Sequence, residues 1–148
     1  ESMMRLLAAV STMALGFLLG LGQDALACSL SDRQLTIQLE PRSAELGAKN
    51  ARVLAEWFLL WRDGLGIESL IVVAPAVKSQ KGIADERLHN VARILERLNI
   101  GKAPIAYEVE VRGDSFPDVK YLNSLDVSVQ PACIKSGTCC QGGITISR

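Results

Sequence analysis

Apolar and polar positions alternate with a period of two in three stretches of the chain. Leu35, Ile37 and Leu39 alternate with Thr36 and Gln38. Ile105, Tyr107, Val109 and Val111 alternate with Glu108, Glu110 and Arg112. Leu125, Val127 and Val129 alternate with Asp126 and Ser128. A period of two marks a half-buried strand. A fourth stretch, Ser69 to Ala74, is continuously apolar and β-branched, as in a strand covered on both faces, and Pro75 is expected to close it. Two stretches between the strands carry a helical period. The first runs from a cap at Ser43, with Glu45 in the first turn, to about Arg62. Its expected apolar stripe is Leu46, Val53, Trp57 and Trp61, flanked by Leu54, Phe58 and Leu60, and Gly64 and Gly66 stop it. The second follows a polar loop, Val77 to Gly82, and ends near Asn99. Leu88, Val91, Leu95 and Leu98 form its stripe, with Arg87, Arg93, Glu96 and Arg97 around it.

The order strand, helix, strand, helix, strand, strand predicts an α+β fold: a β-α-β-α-β-β two-layer sandwich with two helices packed on a mixed sheet. Glu108, Glu110 and Arg112 predict that the opposite sheet face is wet at the third strand. Beyond Pro131 a Cys-rich tail is expected to form a small hairpin, turning at Gly142 and Gly143 ahead of Ile144 and Ile146.

The N-terminus has a different character. Glu1 and Ser2 precede the first methionine and are set aside. Arg5 is a short positive region, Leu6 to Leu21 holds no charge, and Ala25-Leu26-Ala27 offers small residues where a signal peptidase cuts. The uncharged run is short for a membrane span, which takes about 20 apolar residues. The expected division is therefore a signal peptide over residues 1–27, an α/β domain over 28–130 and a Cys-rich, disulfide-stapled tail over 131–148. The expected location is the periplasm. All four cysteines, Cys28, Cys133, Cys139 and Cys140, follow the expected cut, and an even set in an exported chain suggests two disulfides. A bond between adjacent cysteines is strained, so Cys139 and Cys140 are expected to take different partners, one Cys133 and the other Cys28. Acylation of Cys28, giving an outer-membrane lipoprotein, is the alternative. It would leave an odd thiol, and it is the only route by which a membrane becomes a partner.

Charge excludes one class of function. Sixteen Lys and Arg balance sixteen Asp and Glu, and no basic run interleaves with aromatics, so a nucleic-acid partner is not expected. Catalytic chemistry finds no support either. The single histidine, His89, flanks the stripe of the second helix with no nucleophile motif beside it. Phosphate-binding glycine patterns are absent. Glu108 and Glu110 read as a solvated strand face, and Trp57 and Trp61, four apart on a helix, as core. The spacing of Cys133, Cys139 and Cys140 fits no common zinc pattern. No catalytic residue, metal or cofactor is expected.

The stretch Ile83-Ala84-Asp85-Glu86-Arg87-Leu88, followed by Val91, Leu95, Asn99 and Ile100, resembles the second helix of OmpA-like peptidoglycan-binding domains. Val111-Arg112-Gly113 resembles that family's strand end before its Gly-rich loop, Pro117 the proline within the loop, and Asn123-Ser124-Leu125-Asp126-Val127 its final strand. The resemblance covers most of the chain after residue 27 but not the Cys-rich tail. It implies the same element order and a site for the diaminopimelate of the wall peptide, held by an Asp after the second strand and by arginines. Here the second strand runs through Ala74-Pro75-Ala76-Val77 with no acid, and Ser124 stands at the final-strand arginine. Arg87 alone keeps a family position. Its other reading is a surface charge paired with Glu86 or Asp85 or solvated at the helix start. The resemblance therefore implies a kept fold with a degenerate ligand site.

Two functions follow as expectations. One is a non-catalytic protein-binding module, most specifically an inhibitor or immunity protein against a toxin that attacks the cell wall. The other is a peptidoglycan anchor with an altered site. The loops after the second and third strands would flank the old pocket, which makes Pro75, Val77, Lys78, Asp114, Phe116 and Tyr121 the expected partner surface.

Overall fold

The structure, a computed structural model, describes residues 33–139. The expected signal peptide, Cys28, Cys140 and the expected hairpin around Gly142 lie outside those residues. The elements are β1 (Gln34–Gln38), α1 (Gly47–Gly64), β2 (Ile67–Val77), α2 (Lys81–Leu98), β3 (Ile105–Arg112), the helical turn α3 (Val119–Leu122), β4 (Ser124–Pro131) and a second helical turn, α4 (Cys133–Ser136). A 3-10 turn, Lys78–Gln80, joins β2 to α2.

The four strands form one mixed sheet in the order β1-β4-β2-β3. β2 and β3 run parallel, with α2 as their crossover, and β4 inserts antiparallel between β1 and β2. The two long helices cover one face, as the apolar periods predict. The core beneath them comprises Ile37, Leu54, Phe58, Trp61, Leu70, Val72, Val91, Leu95, Leu125 and Val127.

Four local expectations need correction. Ser43 does not cap α1: its Oγ accepts from the Glu45 amide in a turn at 3.1 Å, while Leu46 stands at the cap without a side-chain bond. Gly47 has a φ of 71°, a left-handed backbone through which no helix begun at Ser43 could run. The apolar stripe of α1 is also rotated. Leu54, Phe58 and Trp61 are fully buried, whereas Val53 is 40% and Leu60 42% exposed. The interior turns toward the sheet side of the wheel, and apolar spacing alone leaves that side open over two neighbouring lines.

Pro75 does not end β2, which continues to Val77. The Leu70 amide donates to the Pro104 carbonyl at 3.0 Å, so even-numbered residues of β2 hydrogen-bond toward β3 and odd-numbered ones toward β4. Pairing with β4 ends at Val73, while pairing with β3 runs on to Val77. The missing N–H of Pro75 therefore faces a side where no ladder remains to be broken. At the other edge of the sheet, Val111 of β3 is 48% exposed, not inward as its alternation suggested. It lies on the helix-covered face at the end of an edge strand.

Candidate functional site

The chain leaves the edge strand β3 and must re-enter the sheet as β4, on the far side of β2. The segment 113–123 therefore crosses over the C-terminal end of β2, and α3 packs against that strand. Crossover segment and 3-10 turn together make one end of the molecule, where the resemblance places a ligand.

Asp114 joins the two loops. Its Oδ1 accepts from the Ser79 amide at 3.0 Å and from the Ser79 hydroxyl at 2.8 Å. Those bonds from Ser79 hold the Asp114 carboxyl below the ordinary aspartate range, with Lys78 adding a smaller attraction. A second tie runs back to β3. Glu110 accepts from the Tyr121 hydroxyl and pairs with Arg112. The Arg112 guanidinium lies 5.4 Å from the centre of the Phe116 ring and 5.7 Å from that of Tyr121, in cation-π range. The two rings are themselves 5.7 Å apart. Asp118 caps α3 by accepting from the Tyr121 amide at 2.9 Å. The crossover is thus pinned at Asp114, Phe116, Asp118 and Tyr121.

This arrangement divides the expected partner surface. Lys78 and Asp114 are exposed, and Phe116 and Tyr121 half-buried. Pro75 and Val77 are buried and cannot meet a partner. Their side chains point to the sheet face opposite the helices, and the crossover segment lies over that face. Ser124, at the family's arginine position, is buried too, and its hydroxyl donates to the Tyr121 carbonyl at 2.8 Å.

Arg87 fits neither surface reading. It is 3% exposed, and Asp85 pairs instead with Lys81 at 2.9 Å. The Arg87 Nε donates to the Ser43 carbonyl at 2.8 Å and Nη1 to the Leu122 carbonyl at 2.9 Å. Nη2 donates to the Glu40 carbonyl at 3.3 Å and to Asn123 Oδ1 at 3.1 Å. Most of its donors are spent inside the protein, and the paired hydrogen bonds by which an arginine grips a ligand carboxylate are not on offer. Burial lowers its pKa from the ordinary arginine value. Arg87 clamps three segments: the β1–α1 loop, α2 and the entry to β4.

Residue reading missed Ser79, Glu110 and Arg112 as site residues. Glu110 was visible only as one of two outward carboxylates, and its engagement with a tyrosine eleven positions away depends on the crossover path. His89 is exposed on α2, and its side chain makes no hydrogen bond among the described residues. Two hollows are found among the described residues, the first beside the crossover segment. One, of about 320 Å³, sits on the outer sheet face and has Asp118, Lys120 and Asp126 in its wall. The other, of about 380 Å³, lies between α1 and α2.

No family model and no curated protein matches the chain. Structure comparison does find a fold: the chain has the two-layer α+β architecture of OmpA-like domains. One similar solved structure is the OmpA-like domain of FopA1 from Francisella tularensis subsp. tularensis SCHU S4. The TM-score is 0.51 at 16% identity, covering 67% of this chain and 75% of that one. At that identity the likeness defines the fold, and the site must be read from this chain's own residues.

Proposed function

We propose that this chain is a non-catalytic binding module of the periplasm that engages a protein through its crossover end, most specifically as an inhibitor or immunity protein against a toxin that attacks the cell wall. One observation carries the reading: the two loops flanking the family's ligand position are bonded to each other through Ser79 and Asp114. A wall-peptide ligand with both an amine and carboxylates needs an open cleft, an acid and paired donors. Here the end of the second strand, Ala74 to Val77, supplies no acid, Ser124 replaces an arginine, and Arg87 is turned inward. What the crossover end does offer is a braced surface of Lys78, Asp114, Phe116 and Tyr121. Rigid aromatic and charged groups of that kind suit a protein interface, because little side-chain freedom is lost on binding. Among the described residues no helix is long and apolar enough to cross a membrane.

The test pairs two assays on the chain from residue 28. It should remain in the supernatant with insoluble peptidoglycan, and it should protect cells or purified walls from a wall-hydrolysing toxin. Lys78→Glu should weaken that protection. The second reading, a peptidoglycan anchor, is favoured by the fold itself. It takes over if the wild type pellets with peptidoglycan and excess soluble wall peptide releases it. Arg87→Ala is unsuitable as a binding control, because it removes a buried clamp.

A further inference from the structure

The hollow between α1 and α2 has no part in the crossover end. Its apolar lining is Ala55, Ile94 and Leu98, all half-buried, and its polar lining is Asn90, Arg93 and Arg97. The sheet-facing residues of α2 are Ala84, Leu88, Val91 and Leu95, so these lining residues lie on the flank turned toward α1 and solvent. The Asn90 side chain is already committed, donating to the Ala44 carbonyl at 3.0 Å. Arg93 and Arg97 are exposed, and neither makes an ion pair or hydrogen bond among the described residues. No carboxylate lines the groove. One end is fixed, since Arg62 of α1 donates to the Leu98 carbonyl at 2.9 Å while its Nε holds Asp63 at 2.7 Å.

The chain carries no net charge, so two unpaired arginines beside an apolar lining are a local feature and not a share of a basic field. They stand one helical turn apart, with Ile94 and Leu98 on the neighbouring line. A carboxylate pair four residues apart on another helix has the same spacing, about 5–6 Å between Cβ atoms. Two arginines are too few for an anionic membrane, which takes clusters of roughly four to eight basic residues. We propose that this groove docks an acidic amphipathic helix of a protein partner, its carboxylates on Arg93 and Arg97 and its apolar side chains against Ala55, Ile94 and Leu98. This is helix-in-groove recognition, on a surface separate from the crossover end and independent of the reading given to it.

The test uses the full chain and a fluorescein-labelled helical peptide with Glu at i and i+4 beside Leu at i+1 and i+5, read by fluorescence anisotropy. Saturable binding that weakens with salt is expected, with amide shifts at Ala55, Ile94 and Leu98. The Arg93→Glu, Arg97→Glu double variant should lose affinity about tenfold or more. Both arginines are exposed, so that variant should keep its melting temperature. Lys78→Glu should bind the peptide as wild type does. The proposal is overturned by an absence of saturable binding, by equal binding of a peptide with Lys in place of Glu, or by equal binding of the double variant. Co-sedimentation with phosphatidylglycerol vesicles in place of peptide binding would also overturn it, and would make this face a membrane surface.

Discussion

Arg87 is a charge taken out of water and repaid in hydrogen bonds to three carbonyls, two in the β1–α1 loop and one at the entry to β4. Removing it strands the Ser43 and Leu122 carbonyls, whereas the Glu40 carbonyl keeps a bond from the Ser43 amide. Arg87→Met should therefore destabilise by about 3 kcal/mol in urea unfolding. Arg87→Lys should recover little, because a single ammonium cannot span groups that a planar fork reaches together. Tyr107 offers a test by pH. Its hydroxyl is buried without a hydrogen-bond partner, and burial, reinforced by the charge of Glu96, pushes its pKa up from 10.0 to about 12. The fold thus favours the neutral phenol. The stability this contributes is fully present below pH 10 and is lost as pH rises toward 12. Tyrosinate absorbance should show a late step that Tyr107→Phe removes, leaving only Tyr121, whose own titration is delayed first by its bond to Glu110.

At the scale of elements, the crossover segment is held by a few side-chain ties, whereas the strands beneath it are held by ladders. The Asp114 carboxyl has a lowered pKa, so its tie to Ser79 is present above the ordinary aspartate value of 3.8 and is lost only as pH falls through the lower folded value. The Ser79 amide shift should follow that titration with a midpoint below 3.8. Asp114→Ala should speed amide exchange across residues 113–118 with little change in global stability, since loops open locally. The join between α1 and β2 is less forgiving. Gly66 has a φ of 72°, and an added Cβ would stand 3.3 Å from the Ala132 Cβ. Gly66→Ala should cost about 1 kcal/mol or more, read as a lowered denaturation midpoint. The Cys133–Cys139 disulfide closes a short loop beside that join, with a sequence separation of six. It is one of the two pairings open to Cys133 in the sequence reading.

For the whole molecule, the decisive feature is that the first strand pairs with the last. β1 meets β4 in antiparallel register from Gln34↔Ser128 to Gln38↔Ser124, and one core runs through both layers. Removing residues 34–38 would strip a strand from β4 and expose Leu125 and Val127. The shortened chain should lose its cooperative unfolding transition and its dispersed amide spectrum. The same closure puts both proposed surfaces on one frame. The crossover end and the α1–α2 groove lie on different sides of the sheet, so a partner can engage either without remaking the other.

The apolar periods alone were enough to predict four strands, two long helices, their order and the two-layer fold, because side-chain period follows directly from local backbone geometry. The end of α2, the extent of β3 and the alternation of β4 were legible for the same reason. Residue spacing could not say which of two neighbouring lines on α1 faces the core, because Val53 and Leu54 are equally apolar and only the position of the sheet distinguishes them. Nor could it place Pro75 inside a strand: that depends on where β4 stops pairing. The site was least legible of all. The burial of Pro75 and Val77, the inward turn of Arg87 and the engagement of Glu110 by Tyr121 each follow from one event, the passage of the chain over β2 on its way from β3 to β4 or the packing at its landing point. That path is a long-range consequence of strand order, and no local pattern of residues encodes it.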